Sequence, residues 1–222
     1  MKTAYGVPYL VIHRADLHQA MLTEAETLDI PIRLGSDIEI IDPLGPSVVL
    51  SGGKKFKCDV VFGADGIHSV CRKAMTGHPQ SPFFPGDVAF RVVLPRSELL
   101  TSLELADILQ APAVHCWMGP SAHVVLYPLQ QAELYNVVFL LSDENIPDLQ
   151  VDDKPKSLNE SGLQWLKDRF AGWCGEIHAL LSITKGAGQW KLEHCQEAVQ
   201  WVHSSGNMAL LGDACHATLP YL

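Results

Sequence analysis

The stretch Leu210-Leu-Gly-Asp-Ala-Cys-His-Ala-Thr-Leu-Pro-Tyr-Leu222 decides how this chain reads. A short apolar run, Met208 to Leu211, delivers Gly212 and Asp213 into a turn. A carboxylate just past a buried strand suits gripping a ribose or ribityl hydroxyl. The small neighbours Gly212 and Ala214 let backbone approach a phosphate closely. Two further stretches share this pattern. Residues 60–72, Val-Val-Phe-Gly-Ala-Asp-Gly-Ile-His-Ser-Val-Cys-Arg, predict a strand, a turn holding Asp65 and Gly66, and a helix. Residues 12–18, Ile-His-Arg-Ala-Asp-Leu-His, set Arg14 where a strand ends and a helix begins.

Composition narrows the class. The chain has 222 residues, 47% hydrophobic and 18% charged, enough for one or two globular domains with a sizeable core. A net charge of −9 opposes a nucleic-acid surface, which needs clustered Lys and Arg. No apolar run approaches the length of a membrane span, and no basic-then-apolar leader opens the chain. Six cysteines without framework spacing read as reduced thiols in a cytoplasmic protein. No C-x-x-C or H-x-x-x-H pair occurs, so no metal site is expected.

Periodicity outlines the elements. Residues 8–12 predict a strand, and Ala15 to Leu28 a helix with Leu17, Met21, Ala25 and Leu28 on one face. Short strands are expected at 32–34 and 37–41, then a hairpin turning at Gly52-Gly53. After a linker-like stretch rich in Gly and Pro come β-runs at 88–94, 114–118, 123–127 and 134–141. Pro128 is read as ending the third of these. Residues 142–157 read as a solvated loop. Trp165, Leu166 and Phe170, then Ile177, Leu180 and Leu181, predict two helices. Strands at 189–192, 201–203 and 208–211 are expected to return to the first domain. The expected architecture is α/β: a nucleotide-binding-type domain split between 1–75 and 187–222, around a β-sheet-plus-helices substrate domain at 76–186.

In order and spacing, the three stretches around Arg14, Asp65 and Asp213 resemble the FAD-dependent aromatic-ring monooxygenases. These are single-component hydroxylases, and the likeness is to salicylate-hydroxylase-like members. It covers roughly residues 8–222. That family opens with a G-x-G-x-x-G turn for the ADP half of FAD, and no such sequence occurs here. The chain therefore reads as an incomplete FAD/NAD(P)-binding-type fold, a central fragment of such an enzyme. The alternative is a non-catalytic truncated remnant unable to bind FAD by itself.

The resemblance implies FAD as cofactor and NAD(P)H as co-substrate. An aromatic small molecule and O₂ would be the reactants. It implies that Arg14 reaches the ribityl-phosphate region, that Asp65 and Gly66 support the cofactor, and that Gly212 and Asp213 hold the ribityl chain. Pro220 would lie near the flavin ring. For Asp65 a plain helix cap is the competing reading, and for Arg14 a surface pairing with Asp16. Arg72 is as readily a charge on the helix surface as a group near the cofactor. His216 is expected to hold its turn by hydrogen bonds. On the substrate side, Arg91 and Tyr127 are the catalytic candidates, a cation and a phenol able to hold a phenolate. A strand salt bridge and a half-buried core ring are their alternatives. His115 and His123, and Trp117, Trp190 and Trp201, are read as packing.

Overall fold

The computed structural model describes residues 5–8, 10–78, 81–142, 146, 156–196, 198 and 200–220. Its helices are α1 (Arg14–Thr27), α2 (Val70–Thr76), α3 (Arg96–Leu99), α4 (Glu160–Arg169), α5 (Gly175–Ile183) and α6 (Asp213–His216). The first strands are β1 (Ile38–Asp42), β2 (Ser47–Leu50), β3 (Lys55–Lys57), β4 (Val61–Gly63) and β5 (Asp87–Pro95). Then follow β6 (His115–Gly119), β7 (Ala122–Leu129), β8 (Leu134–Ser142), β9 (Lys156–Ser157), β10 (Gly188–Lys191) and β11 (Met208–Leu210). Two compact units result. One joins Met1–Ile30 to Gly86–Lys191, and the other joins Pro31–Pro85 to Leu192–Leu222.

The first unit is built on a six-stranded sheet in the order β6-β7-β8-β5-β10-β9. Side chains alternate across it, as the two-residue repeat of a strand requires. One face carries Val88, Phe90, Leu94, Val124, Leu126, Val137 and Phe139, all buried. That face packs on the helices: Phe90 lies 6.1 Å from the Trp165 ring, and Phe139 meets Phe170 edge-on at 5.4 Å. Leu166 from α4 and Ile177, Leu180 and Leu181 from α5 are buried as well. Each such side chain contributes roughly 1.5–3 kcal/mol on burial. The opposite face leaves Arg91, Val93, Cys116 and Met118 exposed.

The second unit has two small sheets. β1, β2 and β3 form an antiparallel meander, with Val48 opposite Phe56. β4 and β11 pair in parallel, with Met208 opposite Val61 and Leu210 opposite Gly63. Val61, Cys71, Met208, Leu210, Ala214 and Cys215 bury together, and Ile41, Val48 and Met75 pack against them.

Several expectations need correction. Residues 10–12 are not a strand, because none of the described strands lies beside them to complete a ladder. The same holds for 32–34, while 201–203 reduces to one isolated bridge, Val202 to Ala209. Helix α1 forms, but Leu17, Met21 and Leu28 are exposed, so its apolar face is unpacked within the described residues. The β2–β3 turn is longer than two residues, closing with Leu50 and Lys54. Pro128 does not end β7, which runs to Leu129 with Pro128 opposite Tyr135. β6 pairs no further than Leu126, so the proline lies on a stretch flanked on one side only, where a missing N–H costs little. β10 does not return to the first domain; it pairs with β5. Of the solvated loop at 142–157, residues 143–145 and 147–155 lie outside the described residues, and Ile146 is buried. Residues 1–30 group with the large sheet, where Gln130 Nε2 donates to Asp16 Oδ2 at 2.9 Å.

Candidate functional site

In the second unit, the parallel pairing of β4 and β11 sets two strand exits side by side. Gly63 opposes Leu210, and the amide of Leu211 donates to Gly63 O at 2.8 Å. Asp65 follows one exit and Asp213 the other. A Cβ on Gly63 would overlap the Cys71 side chain, so only glycine lets α2 pack this closely on β4.

Asp65 caps α2. Its Oδ2 accepts from the amides of Val70 (2.7 Å) and Cys71 (3.0 Å), and its Oδ1 accepts from the Ser69 hydroxyl. Ser69 Oγ in turn accepts from Arg72 N at 2.8 Å. Three of the amides that a helix start leaves unpaired are thereby satisfied. Burial pushes Asp65 up, but the Ser69 hydroxyl and the amides of Cys71 and Val70 outweigh it and hold the carboxyl below its ordinary range. Burial, followed by the neighbouring Asp65 charge, pushes the Cys71 thiol up to about 12. Cys71 is thus an inert packing group at neutral pH.

Arg72 is not on the helix surface. It is 1% exposed, and its guanidinium ties the two exits together. Nη1 donates to Ala214 O at 3.0 Å and Asp213 O at 3.3 Å, while Nη2 donates to Ile67 O and meets Cys195 Sγ at 3.4 Å. Sequence reasoning left this role open, since arginine is a residue type seldom buried.

Asp213 begins α6 and differs from Asp65. It is exposed, and its carboxylate accepts no hydrogen bond from a described residue. Gly212 before it has φ 57 and ψ −138, a conformation that side chains rarely adopt, and open space stands where a Cβ would be. Gly66 has φ 79 with the same open surroundings. Pro220 is exposed past α6. The His216 amide donates to Gly212 O at 3.1 Å, closing the turn, while its ring makes no hydrogen bond to a described residue and lies 5.1 Å from Trp201, which is exposed rather than core.

In the first unit, Arg14 opens α1 and is exposed. The alternative, a surface pairing with Asp16, does not form: Asp16 faces His13 Nδ1 at 3.9 Å and accepts from Gln130. Arg91 and Tyr127 share one face of the sheet. Arg91 opposes Val138, which opposes Val125, and Tyr127 lies two residues further along β7. This is the face turned away from α4. No described carboxylate stands within ion-pair distance of Arg91, so the strand salt bridge is absent. Its guanidinium lies 5.5 Å from the Trp190 ring centre. Gly188, directly opposite Arg91, makes room for that indole, since a Cβ there would overlap it. Tyr127 is half-buried, and its hydroxyl has no hydrogen bond to a described residue. His123 lies on the same face, whereas His115 is on the other, stacked 5.9 Å from Trp117.

Among the described residues, no cluster of three His, Cys, Asp or Glu side chains is suited to a metal ion. No described helix is long and apolar enough to cross a membrane.

No family model matches the chain. By sequence it is similar to the FAD-dependent monooxygenase OpS4 of Beauveria bassiana. The two are 34% identical over 228 residues, covering 100% of this chain and 51% of that protein. The salicylate hydroxylase of Pseudomonas putida is 28% identical over 98% of this chain and 51% of its own length. Among solved structures, a salicylate hydroxylase substrate complex matches with a TM-score of 0.74 and 27% identity, over 94% of this chain and 52% of that one. The chain is homologous along its whole length to FAD-dependent aromatic-ring monooxygenases, and its mixed helix-and-sheet architecture is a partial FAD-binding α/β fold. It spans about half the length of the curated relatives it matches.

Proposed function

We propose that these residues form the middle of a FAD-dependent monooxygenase that hydroxylates an aromatic or phenolic small molecule, consuming NAD(P)H and O₂. The observation that carries this reading is the unengaged Asp213 carboxylate at the end of β11, beside the open backbone of Gly212. A spare anionic acceptor next to a glycine with room around it fits a polyhydroxyl chain and a phosphate. Segments 1–75 and 187–222 would supply the FAD-binding domain and 76–186 the substrate domain. None of the six cysteines forms a disulfide, which supports a reducing, cytoplasmic setting.

When bound, FAD supplies the redox chemistry, accepting electrons from NAD(P)H and activating O₂. The chain's own residues hold and orient. Asp213 accepts hydrogen bonds from the ribityl hydroxyls, while Gly212 and Gly66 keep their turns free of side chains. Arg14 offers a guanidinium to the diphosphate, for which its planar fork is suited. Asp65 acts at one remove, because its lone pairs are engaged in capping α2. Pro220 lies toward the flavin ring. Arg91, held over Trp190, places a positive charge on the substrate face, and the Tyr127 hydroxyl on that face is free to donate to the same ligand. Together they stabilise a phenolate, whose ring is the more electron-rich and the readier to accept oxygen.

In the full-length, flavin-loaded protein of which these residues are the middle, Asp213→Ala and Arg14→Ala are each expected to weaken FAD about ten- to a hundredfold, by loss of roughly 1.5–3 kcal/mol. Flavin titration with unchanged affinity in both variants overturns the cofactor assignment. Arg91→Ala and Tyr127→Phe are expected to keep full flavin content but slow hydroxylation on the order of a hundredfold. NAD(P)H oxidation should continue, with electrons leaving as hydrogen peroxide. Full product yield at normal rate in both variants would remove the substrate assignment.

A further inference from the structure

Between the strands of Arg91 and Tyr127 runs β8, and its Asn136 lies directly opposite Tyr127 on one side and Val93 on the other. By register Asn136 occupies the same face as Arg91 and Tyr127. The side chain is 8% exposed, and its Nδ2 is buried with no hydrogen-bond partner. This is unusual for an amide inside a well-packed sheet. Its strand neighbours Tyr135 and Val137 are buried on the other face, and Val138 is buried next along its own face. An apolar side chain of the same shape would meet no polar group to miss it. A buried donor left unpaired costs its full desolvation, so its retention asks for a partner that arrives later.

We infer that Asn136 is a ligand-binding residue, whose amide donates to an oxygen of the aromatic molecule held by Arg91 and Tyr127. The inference rests on the reading that this face takes the substrate. The three groups complement one another: a cation for an oxyanion, a hydroxyl, and a neutral amide with two N–H bonds in one plane. The last torsion of asparagine is soft, so its NH₂ can turn toward the arriving oxygen. The ligand class is an aromatic ring bearing a hydroxyl and a second oxygen-containing group on adjacent or alternate positions, such as a hydroxybenzoate. One oxygen goes to the Arg91 and Tyr127 pair and the other to Asn136.

The test uses Asn136→Leu and Asn136→Ser in the full-length, flavin-loaded protein, with salicylate, 3-hydroxybenzoate, phenol and benzoate as probes. Binding is read by calorimetry and stability by thermal unfolding without ligand. In Asn136→Leu, affinity for the two hydroxybenzoates should fall about tenfold, while phenol, with one oxygen, changes little. Its melting temperature should hold or rise by roughly 2–4 °C, since an unpaired buried donor is gone. Asn136→Ser, smaller and still polar, should lose less affinity than Asn136→Leu. A drop in melting temperature with affinity unchanged would show Asn136 to be structural and overturn the inference. Equal weakening of every probe would also overturn it, pointing to a reshaped pocket. If the unmutated protein binds none of the four probes, the aromatic-substrate reading falls first, and this inference with it.

Discussion

Asp65 and Asp213 stand at matching positions after paired strands, yet their carboxylates have opposite lives. One is consumed by the start of α2 and the other is left to solvent. The difference has a pH signature. A carboxyl held below its ordinary range adds stability that is complete above the unfolded value, near 3.9, and disappears as pH falls through the folded value. Asp65 is of this kind. Asp65→Ala is expected to cost on the order of 1 kcal/mol at pH 7, the scale of a lost cap, since exposure and screening limit the charge contribution. The gap should close progressively below pH 4. Urea unfolding of both proteins at pH 7 and pH 3 checks this, and an equal gap at both pH values would contradict the cap's ionised state. The sequence carried Asp65 as both cap and cofactor neighbour, and the cap is now explicit. Arg72 was the harder residue to read. Nothing in its residue type announces a guanidinium spent on the carbonyls of Ile67, Asp213 and Ala214.

Among elements, legibility followed the partner. β5, β7 and β8 were visible because each alternates buried and exposed or runs wholly apolar, and each finds a neighbour. The stretches at 10–12 and 32–34 have the same local composition and no neighbouring described strand, so propensity alone did not make them strands. The β7–β8 connection was not foreseen at all. Gln130, Gln131 and Ala132 have φ of 47, 57 and 70, three successive left-handed residues without a glycine among them. Each such residue costs roughly 1 kcal/mol against a glycine, and the long β7–β8 ladder helps to hold the connection closed. Gln131→Gly should therefore stabilise the first unit by about 0.5–1 kcal/mol. Gln130 is the wrong place to test this, because its side chain also bonds Asp16. Thermal unfolding of Gln131→Gly reads the outcome, and a lower melting temperature would show that its side chain, not its backbone, governs the turn.

At the scale of the whole molecule, the ordered triple of Arg14, Asp65 and Asp213 made the family legible over nearly the full chain, while the grouping of residues 1–30 with the large sheet was not. A helix with no buried residue gives sequence patterns little to fix. The second unit points to a property of the chain as it stands. Among the described residues its parallel pair, β4 and β11, is two strands wide, and Phe62 on β4 is 63% exposed. Two strands with an exposed apolar face are marginal in water and invite pairing at their edges. Across 222 residues there is also no G-x-G-x-x-G, so the diphosphate would have Arg14 but no glycine-rich helix start to receive it. The 222-residue chain alone is thus expected to purify without stoichiometric flavin and to associate as concentration rises. Absorbance at the flavin band against protein absorbance gives the first answer, and light scattering across a tenfold dilution gives the second. If this polypeptide alone came off the column yellow, monomeric and fully loaded, residues 1–222 would have to bind the ADP half by a route that uses no dinucleotide fingerprint. Asp213 and Arg14 would then carry far more of the affinity than two hydrogen-bonding groups ordinarily do, and Asp213→Ala in that same short chain would have to abolish the colour.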